Sequence, residues 1–122
     1  MKTDIEKIVQ QLVTIADNKK AENIKVYHVS EKIWITDYIM IITASNEIHL
    51  KALLGDLEKE FKIIISEEDE DYFNPIKTSG KSESGWVILD LNSIIVHLVD
   101  EQTRDHYKID ELFESNGVTF HY

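Results

Sequence analysis

The chain begins with a helical pattern of apolar and polar residues, and the same pattern returns further along. Apolar residues recur at intervals of three and four over residues 3–20 and again over about 46–61, which predicts two amphipathic helices. The apolar stripe of the first helix consists of Ile5, Ile8, Val9, Leu12, Val13 and Ala16, and that of the second of Leu50, Leu53, Leu54, Leu57 and Phe61.

Strand patterns occupy the segments that follow these helices. Residues 24–29 alternate between two faces, which predicts a strand, and the unbroken apolar run at 38–43 predicts a central strand that is covered on both faces. The short run Lys-Ile-Ile-Ile at 62–65 predicts a third strand. We expect the helix over 46–61 to be the right-handed crossover between the second and third strands.

Two apolar runs, 86–91 and 94–99, meet at Asn92-Ser93 and predict a β-hairpin with a two-residue turn. Pairing across that turn places aliphatic side chains opposite one another on one face, which we expect to be buried. The pairs on this face are Leu91 with Ile94, Leu89 with Val96, and Val87 with Leu98.

The other face of the hairpin has a mixed character. It carries Trp86, Asp90 and His97 among aliphatic residues, which indicates a partly covered surface. Arg104, the chain's only arginine, and Tyr107 follow shortly afterwards in the sequence. We expect the mixed face to pack under this C-terminal segment.

The remaining segments complete an α-β-β-α-β-β-β-α order. Residues 66–85 hold the only proline and five consecutive acids, and predict a long acidic surface loop. Residues 101–106 predict a turn or short helix, 109–113 a last short helix, and 114–122 a C-terminal tail. The fold class is therefore mixed α/β, a single domain over residues 1–113 with a mixed sheet of about five strands flanked by helices.

Composition and charge narrow the classes of function. The 122 residues include 23 acidic and 13 basic side chains, a formal net charge of −10, and no cysteine. Phosphate contacts need a basic face, so the charge disfavours direct nucleic acid binding and suits either a basic protein partner or solubility alone. The lack of cysteine excludes disulfides, thiol catalysis and cysteine-ligated zinc. No run of apolar residues is long enough for a membrane span and no targeting leader is recognisable, so we expect a cytoplasmic protein.

Catalytic chemistry has little support in this sequence. Ser93 faces away from His97 in the predicted hairpin, and no G-x-S-x-G, H-E-x-x-H or glycine-rich phosphate motif occurs. We therefore predict no enzyme activity and no catalytic, cofactor-binding or metal-binding residues. Arg104 is open to a second interpretation besides docking, an internal ion pair with an acid such as Asp90.

An ordered set of motifs resembles the ribosomal silencing factor family, also called Iojap or RsfS. The segments WVILDLNSIIVH at 86–97 and TRDHYKIDELF at 103–113 carry most of the resemblance, and ITDYIMIIT at 35–43 and HLKAL at 49–53 extend it. The resemblance covers about residues 3–113.

The chain departs from the family pattern at the hairpin turn, just before the main helix, and in the 66–85 loop, which is longer and more acidic than usual. The family usually has Gly-Asp at the hairpin turn, where this chain has Asn92-Ser93, and it has an arginine where this chain has Ile48. Asparagine tolerates a positive φ, so we expect the turn to survive.

The resemblance implies an α/β fold similar to that of nucleotidyltransferases but without known catalysis. It implies binding to the large ribosomal subunit through ribosomal protein L-fourteen, which blocks joining of the small subunit and represses translation when nutrients are limiting. A role in large-subunit assembly, a nucleotidyltransferase-like enzyme and a homodimer with apolar residues 33–35 at its interface are the alternatives. The partner-binding residues implied are Thr36, Asp37, Tyr38, Trp86, Asp90, His97, Arg104 and Tyr107.

Overall fold

Six strands and three helices make up the part of the chain that this computed structural model describes, residues 5–29, 38–66, 76–111 and 117–121. In chain order they are α1 (Ile5–Asn18), β1 (Glu22–Val29), β2 (Tyr38–Ala44), α2 (Glu47–Ser66), β3 (Lys77–Lys81), a 3₁₀ turn (Ser82–Ser84), β4 (Trp86–Asp90), β5 (Ile94–Asp100), α3 (Glu101–His106) and β6 (Gly117–His121).

The strands form one mixed sheet in the order β3-β4-β5-β2-β1-β6. β2 and β5 run parallel, whereas the other neighbouring pairs are antiparallel. This arrangement confirms the mixed α/β class. All seven residues of β2 are buried, as the unbroken apolar run at 38–43 predicts for a strand covered on both faces.

The two long helices pack together on one face of the sheet and bury their apolar stripes against it. Each stripe follows the 3.6-residue period, so one side of each helix faces the sheet while the other faces solvent. No helix within the described ranges is long and apolar enough to cross a membrane. The helical part of this core consists of Ile8, Val9, Leu12, Val13 and Ala16 from α1, and Leu50, Leu53, Leu57, Phe61 and Ile65 from α2.

The hairpin has the predicted register. Trp86 lies opposite Val99, and Asp90 lies opposite Ile95. Asn92 adopts a φ of +72° in the turn, a conformation that asparagine tolerates better than most residues. The six aliphatic side chains predicted for one face are all buried in the core under α1 and α2.

The predicted strand at 62–65 is wrong, because these residues form the last turns of α2. Leu57, Phe61 and Ile65 are spaced four residues apart and are all buried, so the helical stripe continues through the segment. The third strand is instead β3, Lys77–Lys81, whose residues are all exposed at the edge of the sheet. An exposed strand needs no alternation of apolar and polar residues, so the sequence of β3 contains no pattern that predicts a strand.

Two other segment boundaries also need correction. The predicted loop 66–85 contains β3 and a 3₁₀ turn, while its acidic run at 67–71 lies outside the described residues. The predicted tail 114–122 supplies β6, which pairs with β1 and extends the sheet beyond residue 113. The short helix at 101–106 is confirmed as α3, and the helix predicted at 109–113 lies partly outside the described residues.

Candidate interaction site

The face of the sheet opposite α1 and α2, here called the second face, carries a smaller apolar cluster. Side chains alternate along a strand, so the strands that supply the main core also supply this face. α3 packs against β2 and β5, and the turn after it adds a buried isoleucine. The buried members of the cluster are Tyr27, Ile39, Ile41, Val99 and Ile109, with half-buried Trp86 packed against them.

Trp86 and Tyr107 form an aromatic pair at the margin of this cluster. Their ring centroids lie 5.5 Å apart with the ring planes at 43°, which is a favourable range for aromatic contacts. Tyr107 follows α3 directly and is 58% exposed. Half-buried tryptophan and exposed tyrosine are the residue types that protein interfaces favour, so this pair is a candidate contact surface.

His97 holds the indole of Trp86 in place from the neighbouring strand. The Trp86 Nε1–H donates a hydrogen bond to His97 Nδ1 at 3.1 Å, which requires the imidazole nitrogen to be unprotonated. Burial in the sheet lowers the pKa of His97 to about 4, so the ring is neutral at physiological pH and stays an acceptor. The hydrogen bond therefore fixes the orientation of the Trp86 indole relative to the imidazole of His97.

Arg104 connects α3 to the sheet through a buried guanidinium that is only 4% exposed. Its Nε and Nη2 donate to the two carboxylate oxygens of Asp110 at 2.7 and 2.8 Å, a bidentate ion pair. Its Nη1 donates to Thr43 Oγ1 at 2.8 Å and to the Asn23 carbonyl oxygen at 2.5 Å. β1 has an irregular register between Glu22 and Lys25, and Asn23 there adopts a φ of +44°. This bulge is where the Asn23 carbonyl accepts from Arg104.

Asp110 receives more than the Arg104 ion pair. The Tyr27 hydroxyl donates to Asp110 Oδ2 at 2.8 Å, and Lys25 Nζ lies 3.4 Å from the same oxygen. Burial alone raises the pKa of Asp110, but the hydrogen bonds from Arg104 and Tyr27 and the charges of Arg104 and Lys25 together hold it well below its usual range. Asp110 is therefore a fixed anion at neutral pH.

Both ends of α3 are closed by specific local structure. The Asp100 side chain accepts from the Thr103 backbone N–H at 2.7 Å and caps the start of the helix. Gly85, at a φ of +80°, leaves room for this cap, since a Cβ there would clash with the Asp100 carboxylate. At the other end Lys108 adopts a φ of +48°, and the Ile109 N–H donates to the Arg104 carbonyl, which is a Schellman motif.

A surface cleft of about 350 Å³ lies beside the Arg104–Asp110 ion pair. Its walls carry charges of both signs, so it does not select an anion or a cation by charge alone. The lining residues are Asn23, Lys25, Arg104, Asp105, Lys108, Asp110 and Glu111.

The predicted partner-binding residues fall into separate groups. Trp86 contacts both His97 and Tyr107 on the second face, and Arg104 belongs to α3, which packs against β2 and β5. Asp90 lies at the hairpin turn, where its side chain accepts from the Asn92 N–H at 2.9 Å.

Tyr38 differs from these residues because it belongs to the core under the helices, and its ring stacks on His28 with centroids 4.6 Å apart. The Tyr38 N–H donates to the Ser93 carbonyl at 3.0 Å, so Tyr38 lies at the same end of the sheet as the hairpin turn. Thr36, Asp37 and the apolar residues 33–35 lie outside the described residues.

The alternative of an internal ion pair for Arg104 is confirmed, with a different acid from the one named as an example. The arginine does form a buried ion pair, but with Asp110 rather than Asp90. Asp110 is part of the motif at 103–113 but was not among the predicted partner-binding residues, and Tyr27 was not singled out from the sequence at all. The alternation at 24–29 places Tyr27 on the face away from Ile24 and Val26, but no local pattern indicates that its hydroxyl meets residue 110.

The turn between β2 and α2 is held by hydrogen bonds from its own polar residues. Here the Ser45 hydroxyl donates to Glu22 Oε1 and the Ser45 N–H donates to His49 Nδ1, both at 2.8 Å. Asn46 Oδ1 accepts from the His49 N–H and caps α2. Within the described residues no group of three or more His, Asp or Glu side chains is placed to hold a metal ion.

Comparison with known proteins gives a consistent family match. A family model described as "Ribosomal silencing factor during starvation" matches residues 2–120. The Ribosomal silencing factor RsfS of Haemophilus influenzae is 26% identical over 106 residues, covering 87% of this chain and 97% of that protein. The protein of the same name from Bacillus subtilis is 23% identical over 106 residues, covering 87% of this chain and 84% of its own length.

A longer relative comes from mouse, the protein named "Mitochondrial assembly of ribosomal large subunit protein 1". It is 28% identical over 105 residues, which cover 86% of this chain but only 44% of the mouse protein. The chain therefore spans less than half of that relative.

Two solved structures share the fold. A crystal structure of a Chromobacterium violaceum protein superposes with a TM-score of 0.74 at 20% identity, covering 91% of this chain and 87% of that one. One from Bacillus halodurans gives a TM-score of 0.67 at 24% identity, covering 88% and 93%. At these identities the likeness shows the fold alone.

Proposed function

The chain belongs to the ribosomal silencing factor family, and we propose that it acts as one, in the cytoplasm and without catalysis. It binds the large ribosomal subunit through ribosomal protein L-fourteen and blocks joining of the small subunit, which represses translation when nutrients are limiting. The observation that carries this proposal is the family match over residues 2–120, together with relatives named as ribosomal silencing factors.

The charge and surface chemistry of the molecule support the same proposal. A formal net charge of −10 favours encounter with a basic ribosomal protein, because opposite fields steer association. The Trp86–Tyr107 pair offers apolar ring surface at the margin of the second face. We assign contact with the partner to these two rings.

The other predicted partner-binding residues take different roles in this proposal. His97 and Arg104 are buried, so we assign them the role of positioning the contact residues and not of touching the partner. Asp90 at the hairpin turn is a further proposed contact, and Tyr38 is buried near the same turn at the start of β2, where it supports that end of the sheet. Thr36 and Asp37 precede Tyr38 in the sequence, and we propose them as partner contacts from the family resemblance alone.

Sedimentation of purified ribosomal subunits with added protein tests the proposal. We expect the protein to sediment with the large subunit at a 1:1 ratio and to reduce the fraction of joined ribosomes. Tyr107→Ala should weaken both effects, whereas Ile63→Ala, which truncates a half-exposed apolar residue on α2, should leave them unchanged. No binding by the wild-type protein, or joining that proceeds unhindered, would refute the proposal.

A role in assembly of the large subunit is the second candidate, and the name of the mouse relative favours it. The two roles differ in what accumulates when the protein is removed from cells. Loss of an assembly factor leaves large-subunit precursors on a sucrose gradient. Loss of a silencing factor leaves mature subunits that join more readily in starved cells, and this is the result we expect.

The nucleotidyltransferase-like alternative has its own test. Calorimetry with Mg²⁺ and nucleoside triphosphates should give no binding heat if the chain acts only by docking. Binding with a defined stoichiometry would instead support an enzyme, and mutation of Ser45 would then locate the site.

A further inference from the structure

Asp110 and Tyr27 lie outside the residues assigned to partner contact, yet Asp110 binds the guanidinium of Arg104 and Tyr27 binds Asp110. We infer that Asp110 and Tyr27 are positioning residues, which hold Arg104 and thereby present the Tyr107 ring on Trp86 as a preformed docking surface. This inference rests on the proposed function only for the identity of the partner.

The first argument is the small size of α3. A helix of six residues cannot hold itself together, since the first turn costs more conformational entropy than its hydrogen bonds return. Its position must therefore come from its ends and from tertiary contacts. Its start is held by the Asp100 cap, and its far end by Arg104, Ile109 and Asp110.

The second argument is the place of Tyr107 in the chain. It lies between Arg104 and Asp110, whose side chains bind each other across the turn. The Schellman motif reverses the backbone after Tyr107, which directs Ile109 into the buried cluster. The Tyr107 ring contacts Trp86 and the neighbouring His106, and the backbone from 104 to 110 sets the position from which the ring reaches Trp86.

The third argument is the fit of the guanidinium to its acceptors. Three of its nitrogens donate to a carboxylate, a hydroxyl and a backbone carbonyl from three different segments of the chain. Tyr27 is fully buried, and its hydroxyl occupies a further lone pair of Asp110. The network therefore cross-links α3, the following turn, β2 and β1 at one point, and two of its members, Arg104 and Asp110, flank Tyr107 in the chain.

Three variants test this positioning role, each measured well below its melting temperature so that the chain remains folded. Asp110→Asn keeps the shape of the side chain but removes its charge, and Tyr27→Phe removes only the hydroxyl. Ile8→Val is the control, because it weakens the core on the opposite face of the sheet. Affinity for purified large subunits is measured by sedimentation, and melting temperature by circular dichroism.

A second readout follows the aromatic pair without any partner. The chain has two tryptophans, so a Trp34→Phe background leaves Trp86 as the only indole. Its fluorescence emission, compared with and without an additional Tyr107→Ala change, reports whether the two rings stay together. We expect Asp110→Asn to shift the emission toward that of Tyr107→Ala.

The expected result is at least a tenfold loss of large-subunit affinity for Asp110→Asn and a loss of two- to threefold for Tyr27→Phe. Ile8→Val should bind like the wild type despite its lower melting temperature. Unchanged affinity and emission in both Asp110→Asn and Tyr27→Phe would overturn the inference, as would an equal loss of affinity in Ile8→Val. If Asp110→Asn does not fold, Tyr27→Phe decides by the same two readouts. If the wild-type chain does not bind large subunits, the proposed function fails, while the emission of Trp86 still tests the positioning role.

Discussion

His97 should make the stability of the protein depend on pH in a defined window. Burial lowers the pKa of its imidazole from 6.5 to about 4 in the folded state. Above pH 6.5 the ring is neutral in both folded and unfolded chains and contributes no pH dependence. Between pH 6.5 and 4 the unfolded chain takes up a proton that the folded chain does not, so acidification favours unfolding. Linkage between these two pKa values gives a loss of about 2 kcal/mol at pH 5 and about 3 kcal/mol at pH 4.

The contribution of His97 is isolated by comparison with His97→Gln, which does not titrate and keeps a hydrogen-bond acceptor near the Trp86 N–H. Urea unfolding at pH 7 and pH 5 gives the free energy of unfolding of each protein at each pH. We expect the wild type to lose about 2 kcal/mol more than His97→Gln between these values, which corresponds to roughly 6–10 °C in melting temperature for a domain of this size. The other histidines and the carboxylates are common to both proteins, so their effects cancel.

Equal pH dependence in the two proteins would refute this reasoning. It would mean that His97 is protonated at its ordinary pKa in the folded state, and the Trp86–His97 hydrogen bond could not then persist at pH 5. A steeper dependence in His97→Gln would contradict the sign of the linkage itself.

Three further predictions follow from the local geometry. Arg104→Ala should lower the free energy of unfolding by about 3–5 kcal/mol, because it leaves Asp110 without its bidentate partner, and Arg104→Lys should restore little of that loss. Unfolding in guanidinium chloride measures both variants, and a loss below about 1 kcal/mol in Arg104→Ala would show that the ion pair is dispensable. Lys108→Gly should raise the stability by about 1 kcal/mol, since glycine adopts the φ of +48° without a Cβ clash; a lower unfolding midpoint would contradict the Schellman assignment. Gly55→Ala should stabilise α2 by roughly 0.5–1 kcal/mol, because its Cβ would meet no atom within 4 Å. Gly85→Ala should instead destabilise the protein, because its Cβ would clash with the Asp100 cap. Melting temperatures that change in the same direction for both variants would refute the distinction.

Local periodicity was sufficient to predict the two long helices, the central strand and the hairpin register. Each of these elements buries a whole stripe or face, so its apolar residues repeat with the period of the backbone. The hairpin pairing followed from a two-residue turn, because that turn leaves one register in which the aliphatic face stays whole. The placement of Trp86 and His97 on one face followed from the same register and was correct.

The edge strands escaped prediction for the opposite reason. β3 is exposed throughout, so its residues carry no alternation, and its hydrogen bonds to β4 come from the backbone. β6 lies beyond the segment that the family resemblance covered, and its pairing with β1 joins residues about ninety positions apart in the chain. The segment 62–65 was mistaken for a strand because a short apolar run does not distinguish a strand from the end of a helix.

The sequence by itself determined that His97 is a polar exception in an apolar strand, and it singled out Arg104 as the only arginine of the chain. Only the tertiary structure decided what they do. The partner of Arg104 is six residues away, but it reaches the guanidinium because Lys108 reverses the chain after α3. Tyr27 is 83 residues from Asp110 along the chain, and β1, which lies between β2 and β6 in the sheet, brings them together. A hydrogen bond depends on distances of about 3 Å between atoms, and only the packing of the whole domain sets those distances.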